Sequence, residues 1–175
     1  MLKSGLSIGA DPDALRRVEQ LVRTRGDAQR GKALFLNADR SACVTCHRLE
    51  GVGGRIGPDL TGLHKAATVG KLIESIVDPS REIKEGFEQH VVRTKSGQTY
   101  AGLRISSDAN ATVLRDAQGK DVTIPAGDVD KQAASKTSLM PDGAYSLLSL
   151  DELADLVAFL ADGKAQESLR TCPVE

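Results

Sequence analysis

The pattern of apolar and polar positions predicts helices in the first and last parts of the chain. Over residues 11–25 the apolar residues recur at three- and four-residue intervals, which is the spacing of one helix face. A second, short helix is predicted over residues 27–37, and residues 68–77 repeat the apolar spacing more strongly. Residues 38–63 are rich in Gly and Pro, so we expect a loop there.

The pattern changes at about residue 87, where short alternating runs replace the helical spacing. Turn residues separate these runs up to residue 136, and this arrangement predicts four or five antiparallel strands. Helical spacing returns after Ser149, which matches a capping box together with Glu152, and Gly163 is predicted to end this last helix. We therefore expect a mainly α protein with a small antiparallel β-sheet inserted at residues 87–136.

These elements suggest one domain with a short extension at each end. Its expected limits are residues 27–165, preceded by a helical extension at 1–26 and followed by a tail at 166–175, with the polar stretch from Lys164 to Glu175 expected to be frayed. The start of the chain lacks the apolar core of a secretory signal, so we expect a mature chain, a shortened chain or part of a larger protein. No apolar run reaches the roughly 18 residues of a membrane span.

Charge and aromatic content narrow the functional classes. The formal net charge is −1, which argues against a general nucleic-acid or membrane-surface binder because such proteins carry a basic excess. Aromatic residues make up 3% of the chain and Trp is absent, so the core must be filled by aliphatic side chains or by a non-protein group. Composition alone favours the aliphatic core.

The strongest chemical signal is the sequence Cys43-Val-Thr-Cys46-His47, which has the C-x-x-C-H pattern of c-type haem attachment. Two thiols separated by two residues can reach the two vinyl groups on one edge of a porphyrin. The next residue then lies under the iron, where an imidazole nitrogen can bind it. The pattern predicts one covalently attached haem c, with His47 as an axial iron ligand.

The same residues could instead form a redox dithiol or half of a zinc site, or could match the pattern by chance. A dithiol of the thioredoxin type is expected between a strand and a helix, whereas here a helix precedes the pair and a Gly-rich loop follows. A zinc site needs further Cys or His residues at ligand spacing, and His64, His90 and Cys172 form no second pair. Cys172 has no evident partner; we take it as incidental, with a cross-link between two chains as the alternative.

A second axial ligand is expected if the protein carries electrons, and Met140 is the best candidate. It is the only Met apart from Met1, and Pro141 places it in a loop before the last helix. The ordinary alternative is that Met140 fills the core. His64 and His90 are rivals for the iron, but each is better explained as a surface or packing histidine.

These residues resemble a class I cytochrome c. The likeness rests on the C-x-x-C-H sequence, on Gly57-Pro-Asp-Leu60, on Leu139-Met-Pro141 and on the closing amphipathic helix. More closely, the chain resembles the haem-binding domain at the C-terminal end of large secreted proteins of planctomycetes and verrucomicrobia. This likeness includes the β-rich insert, whereas the helix at residues 11–25 lies outside it.

The resemblance implies roles for individual residues. The Pro58 carbonyl is expected to accept the Nδ1 proton of His47 and so to fix the imidazole ring, and Leu60 is expected to pack on the haem. Met140 is expected to be the second axial ligand. The crossing of the first and last cytochrome helices is expected to bring together four residues: Gly31, Phe35, Leu156 and Phe159.

The resulting hypothesis is a mono-haem c-type cytochrome that carries single electrons and is not itself an enzyme. Its expected partner is a redox protein, such as a fused or separate dehydrogenase of which this chain is the electron-transfer module. The alternative is a haem-based sensor or peroxidase-like enzyme in which Met140 is a labile ligand. Haem attachment implies a periplasmic or exported location. For the insert at 87–136 we weigh a docking or dimerisation role against a merely decorative one.

Overall fold

The computed structural model describes residues 12–170, so Met1 and Cys172 lie outside the described residues. This part of the chain is 40% helical and 25% strand, so the sheet is a larger component than a mainly α protein would have. The helices are α1 (Pro12–Arg25), α2 (Ala28–Leu36), α3 (Cys43–Cys46), α4 (Leu63–Ala66), α5 (Val69–Val77), α6 (Leu150–Ala161) and α7 (Gly163–Glu167). The strands are β1 (Arg48–Leu49), β2 (Val52–Gly53), β3 (Glu88–Thr94), β4 (Thr99–Ser107), β5 (Ala111–Arg115), β6 (Asp121–Pro125) and β7 (Val129–Ser138).

The helices share one hydrophobic core. Helix α1 contributes Ala14 and Val18 to the cluster that also contains the apolar face of α6, so it packs as part of the helical body. The predicted crossing of α2 and α6 is confirmed, since the rings of Phe35 and Phe159 lie 5.7 Å apart between centroids. Gly31 allows this approach, because a Cβ at this position would lie 2.0 Å from the backbone oxygen of Asp155.

Polar contacts reinforce the same crossing. The Asp155 side chain is almost fully buried and accepts hydrogen bonds from the backbone N–H of Asp27 at 2.8 Å and from the Arg30 guanidinium at 2.7 and 2.8 Å. The Asp27 carboxylate in turn accepts from the first N–H groups of α2 and caps that helix. This network was not predicted, since nothing in the sequence signals a pair 125 residues apart.

The insert is one five-stranded antiparallel sheet with the strand order β6-β5-β4-β3-β7. Its inner face carries a separate small core formed by Val92, Leu114 and Ile124. The Thr112 hydroxyl on β5 donates a 3.2 Å hydrogen bond to the Gln132 side chain on β7, although these strands are not neighbours in the sheet. The sheet is therefore strongly curled around its own core, which explains how so small a sheet buries an apolar centre.

The end of the described chain is packed, and the prediction of a frayed tail is wrong as far as residue 170. Ser149 and Glu152 form the predicted capping box of α6, but α7 begins directly after α6, at Gly163. Gln166 and Leu169 are buried, and the Gln166 amide donates to the Leu160 carbonyl at 2.7 Å. Although this segment is polar in composition, these two side chains are buried. Within residues 12–170, no helix has the length and apolar character of a membrane span.

Candidate functional site

The two cysteines lie on a single helical turn, which brings their side chains close to each other. Helix α3 begins after Ala42, whose positive φ of 55° turns the chain sharply into the helix. It ends at His47, where the backbone becomes extended and the N–H of His47 donates to the Cys43 carbonyl at 2.9 Å. Both cysteines are free and only partly buried. The motif thus places two free, partly buried thiols immediately before an imidazole.

A glycine-rich loop lies directly against this turn. Gly54 donates its N–H to the Val44 carbonyl at 2.9 Å, and a Cβ on Gly54 would lie 2.0 Å from the Thr45 backbone oxygen. Gly57 lies against the His47 ring, where a Cβ would come within 2.6 to 3.0 Å of three ring atoms. In the sequence these glycines indicate only turns. Their density is the one local signal of the loop, but which of them contacts the imidazole depends on tertiary packing.

The His47 imidazole is held in one orientation and one tautomer. Its Nδ1 lies 2.9 Å from the carbonyl oxygen of Pro58, so Nδ1 carries the proton and donates it to that oxygen. This is the hydrogen bond that the resemblance implies. Burial lowers the pKa of His47, and the hydrogen bond to Pro58 opposes this shift only in part. The ring is therefore neutral at pH 7, with the lone pair on Nε2, which is the metal-binding form.

The thiols do not have the character of a redox dithiol. Burial raises the pKa of Cys43 and, in the same way, the pKa of Cys46. A catalytic dithiol needs at least one cysteine whose pKa is lowered by a cation or by a helix N-terminus. The pair also lies between Ala42, whose backbone is left-handed, and the short hairpin of β1 and β2. A thioredoxin-type pair would lie between a strand and a helix of a βαβ unit. These observations argue against the thioredoxin-type alternative.

The other candidate residues are distributed over two parts of the fold. Leu60 follows the loop, where its N–H donates to the Arg48 carbonyl at 2.8 Å and its side chain packs against the main core. Met140 lies after β7, half-buried, with its N–H donated to the Ser138 hydroxyl at 3.1 Å. The structure thus joins His47 and Pro58 by a hydrogen bond and leaves the relation of Met140 to them a prediction.

The two rival histidines have other surroundings. The His64 Nδ1 lies 3.0 Å from the side-chain oxygen of Gln166, and its ring packs so closely on Gly163 that a Cβ there would lie 2.5 Å from Nε2. His64 therefore joins α4 to α7. His90 is buried on the inner side of β3, and its Nδ1 has no hydrogen-bond partner among residues 12–170. Neither His64 nor His90 has a described contact with the Cys43–His47 segment.

Comparison with known proteins agrees with this geometry. The family model described as Cytochrome c matches residues 28–114, which include α2, the C-x-x-C-H turn, the glycine loop and α5. The matched segment ends in β5, before Met140. No curated protein matches the chain. The family match, carried by the segment that holds His47 against Pro58, supports a class I c-type cytochrome, a haem-based electron carrier with covalently bound haem c.

Proposed function

We propose that this chain is a mono-haem cytochrome that carries single electrons, with the haem attached through Cys43 and Cys46 and the iron bound by His47 and Met140. The observation that carries the proposal is the 2.9 Å hydrogen bond from His47 Nδ1 to Pro58, next to two free thiols on one helical turn. A bound haem c would supply an iron that alternates between Fe(II) and Fe(III). The family match supports the same class of carrier.

The residues of the site fit such a group. The neutral His47 ring has its Nδ1 proton engaged, which leaves Nε2 as the only nitrogen that can bind a metal. The carbonyl of Pro58 increases the electron donation of the imidazole, because a hydrogen bond at Nδ1 makes the other nitrogen more basic. The Gly57 backbone prevents the ring from tilting toward the loop. These residues orient a ligand before any cofactor arrives.

Apolar residues around the motif would exclude water from the group. Several side chains in and after the motif are only partly buried although they pack against the main core, so they have surface left to cover a flat apolar ligand. Those in the segment that follows α2 include Val44, Val52, Leu60 and Leu63. An apolar surrounding lowers the local dielectric constant and so helps to set the reduction potential.

Met140 is proposed as the second axial ligand on the basis of the loop that carries it. The Ser138 N–H donates to the Ser80 hydroxyl at 3.1 Å, which fastens the end of β7 to the segment after α5. Met140 follows two residues later, with its own N–H held by the Ser138 side chain. This loop is thereby tied to the helical body rather than to the insert alone. A thioether ligand raises the reduction potential relative to a second histidine.

The partner and the location extend the proposal. A carrier without its own substrate needs a redox partner, and we propose a fused or separate dehydrogenase that delivers electrons to the chain. We propose a periplasmic or exported location, because thiols must be joined to haem outside the cytoplasm in bacteria. The likeness to planctomycete and verrucomicrobial haem-binding domains supports both statements, and a homodimer formed through the β insert is a further proposal.

The test is an absorption spectrum of protein matured with a haem-attachment system, in both redox states. We expect a mass increased by one haem and a ferric spectrum with the far-red band of Met ligation. In Met140→Leu, which keeps the side-chain volume, the far-red band is lost and the reduction potential falls. His64→Ala and His90→Ala serve as matched controls and keep the wild-type spectrum. A colourless protein would refute the proposal. Rapid CO binding by the wild type would favour the sensor or peroxidase alternative.

A further inference from the structure

The turn between β5 and β6 lies on the outer side of the glycine loop. A Cβ on Gly119 would be 3.6 Å from Cδ1 of Ile56, so the turn lies within one side-chain atom of Ile56, and the two line the same small cavity. Only 8% of the Ile56 surface is exposed. On its other side the glycine loop lies against α3, which Gly54 contacts, so the loop runs between α3 and the β5–β6 turn.

Ile56 is directly connected to the residues that hold His47. The N–H groups of Ile56 and Gly57 both donate to the Cys46 carbonyl, at 3.1 and 2.9 Å. Gly57 lies against the imidazole face, and Pro58 accepts the Nδ1 proton. Because these three residues are consecutive, a displacement of Ile56 moves both groups that fix the ring.

The turn itself is rigid enough to hold a neighbour in place. The Asp116 carboxylate accepts hydrogen bonds from the N–H groups of Gln118 and Lys120, at 2.9 and 2.8 Å. Below the turn, Arg115 and Asp121 form a two-point ion pair between the strands, at 2.7 and 2.8 Å. The turn that faces Ile56 is therefore held in one conformation by its own hydrogen bonds.

We propose that the β5–β6 turn of the insert, through its close approach to Ile56, positions the proximal histidine and thereby tunes the iron that His47 binds. Ile56 and Gly119 are positioning residues, since Ile56 is joined to the site through the Cys46 carbonyl and through its neighbours Gly57 and Pro58. The proposal rests on the proposed function for its effect on the iron. The mechanical part, which links the turn to the His47 ring, concerns this chain alone.

The experiment compares two pairs of variants in the full-length, haem-matured chain. Ile56→Ala shortens the side chain that faces the turn, and its control Ile124→Ala creates a similar apolar vacancy in the core of the insert. Asp116→Ala removes the hydrogen bonds that hold this turn. Its control Asp108→Ala removes an equivalent cap, with hydrogen bonds of 2.7 and 3.0 Å, at the opposite end of β5.

Two readouts are measured: the reduction potential with the ferric spectrum, and the hydrogen exchange of the Gly57 amide. We expect Ile56→Ala and Asp116→Ala to shift the potential and the spectrum, and to raise the exchange rate of Gly57 about tenfold, while both controls leave them at the wild-type values. Ile56→Val, which keeps most of the side chain, is expected to behave like the wild type in both readouts. Equal effects in variants and controls would overturn the proposal.

Failure of the proposed function has a different signature. If the wild-type chain takes up no haem, the spectroscopic readout is lost, but the exchange of Gly57 still reports whether the turn holds the loop. Faster exchange in Ile56→Ala than in Ile124→Ala would then support the mechanical link without any cytochrome function. Unchanged exchange in a haem-loaded protein would refute the link and leave the cytochrome assignment intact.

Discussion

Gly57→Ala is the most direct test of how this chain holds its imidazole. The added Cβ would lie 2.6 Å from Cε1 of His47, 2.8 Å from Nδ1 and 3.0 Å from Nε2. Ordinary contact begins at 3.4 Å, so the closest of these distances falls 0.8 Å short. Gly57 does not have a positive φ, so the substitution adds no backbone strain, and the clash with the ring is its main effect.

The magnitude follows from what the ring must give up. A displacement of about 0.8 Å breaks the 2.9 Å hydrogen bond to Pro58, which is worth roughly 1 kcal/mol. Overpacking of the loop against the ring adds about 1 to 3 kcal/mol. The sum, about 2 to 4 kcal/mol, lowers the Tm by roughly 4 to 16 °C for a chain of this length.

The assay combines thermal unfolding with redox titration of the haem-loaded chain. We expect the reduction potential to rise in Gly57→Ala, because an imidazole without its Nδ1 hydrogen bond is a weaker donor and stabilises Fe(III) less. The matched control is Gly127→Ala, where a Cβ meets nothing within 4 Å. If the two variants unfold at the same temperature and keep the same potential, the inferred clamp on His47 does not exist.

Three further predictions concern the body of the fold. Gly31→Ala should destabilise the fold by about 1 to 3 kcal/mol in urea unfolding, because the added Cβ meets the Asp155 carbonyl. This loss is expected although Ala has the better helix propensity. A neutral or stabilising effect would show that α2 and α6 can move apart freely. Leu169→Ala should cost about 2 to 5 kcal/mol, whereas a frayed tail would show no change. The pKa of Glu152 is lowered by the hydrogen bond from the Ser149 N–H and then by Arg40. The Glu152 carboxylate therefore contributes its full stabilisation of the fold above the unfolded pKa, and this contribution is lost as the pH falls through the lower folded pKa. Between about pH 7 and about pH 3, the free energy of unfolding should therefore depend less steeply on pH in Glu152→Gln than in the wild type. Equal pH dependence in the two proteins would contradict this assignment.

Local sequence determined the helices, the strand-rich segment and the identity of the candidate ligands. The helical spacing and the capping box at Ser149 depend on neighbours three or four residues apart, so they are visible in the chain itself. The C-x-x-C-H pattern is local for the same reason, since one helical turn places both thiols before His47. The hydrogen bond from His47 to Pro58 spans 11 residues and was expected only from the resemblance.

Tertiary structure alone decided which residues without a recognisable sequence signal are buried or contact the candidate site. Gly57 matters because the His47 ring lies against it, and Ile56 is a buried residue in a loop that the sequence alone shows only as rich in glycine. Leu169 lies in a segment that is polar in sequence, but its side chain is buried in the main core. Contacts between residues far apart in the chain depend on how complete elements pack, and one-dimensional periodicity contains no information about that packing. The sequence therefore specified the chemistry that this protein presents, and the packing of the insert and helices specified what holds that chemistry in place.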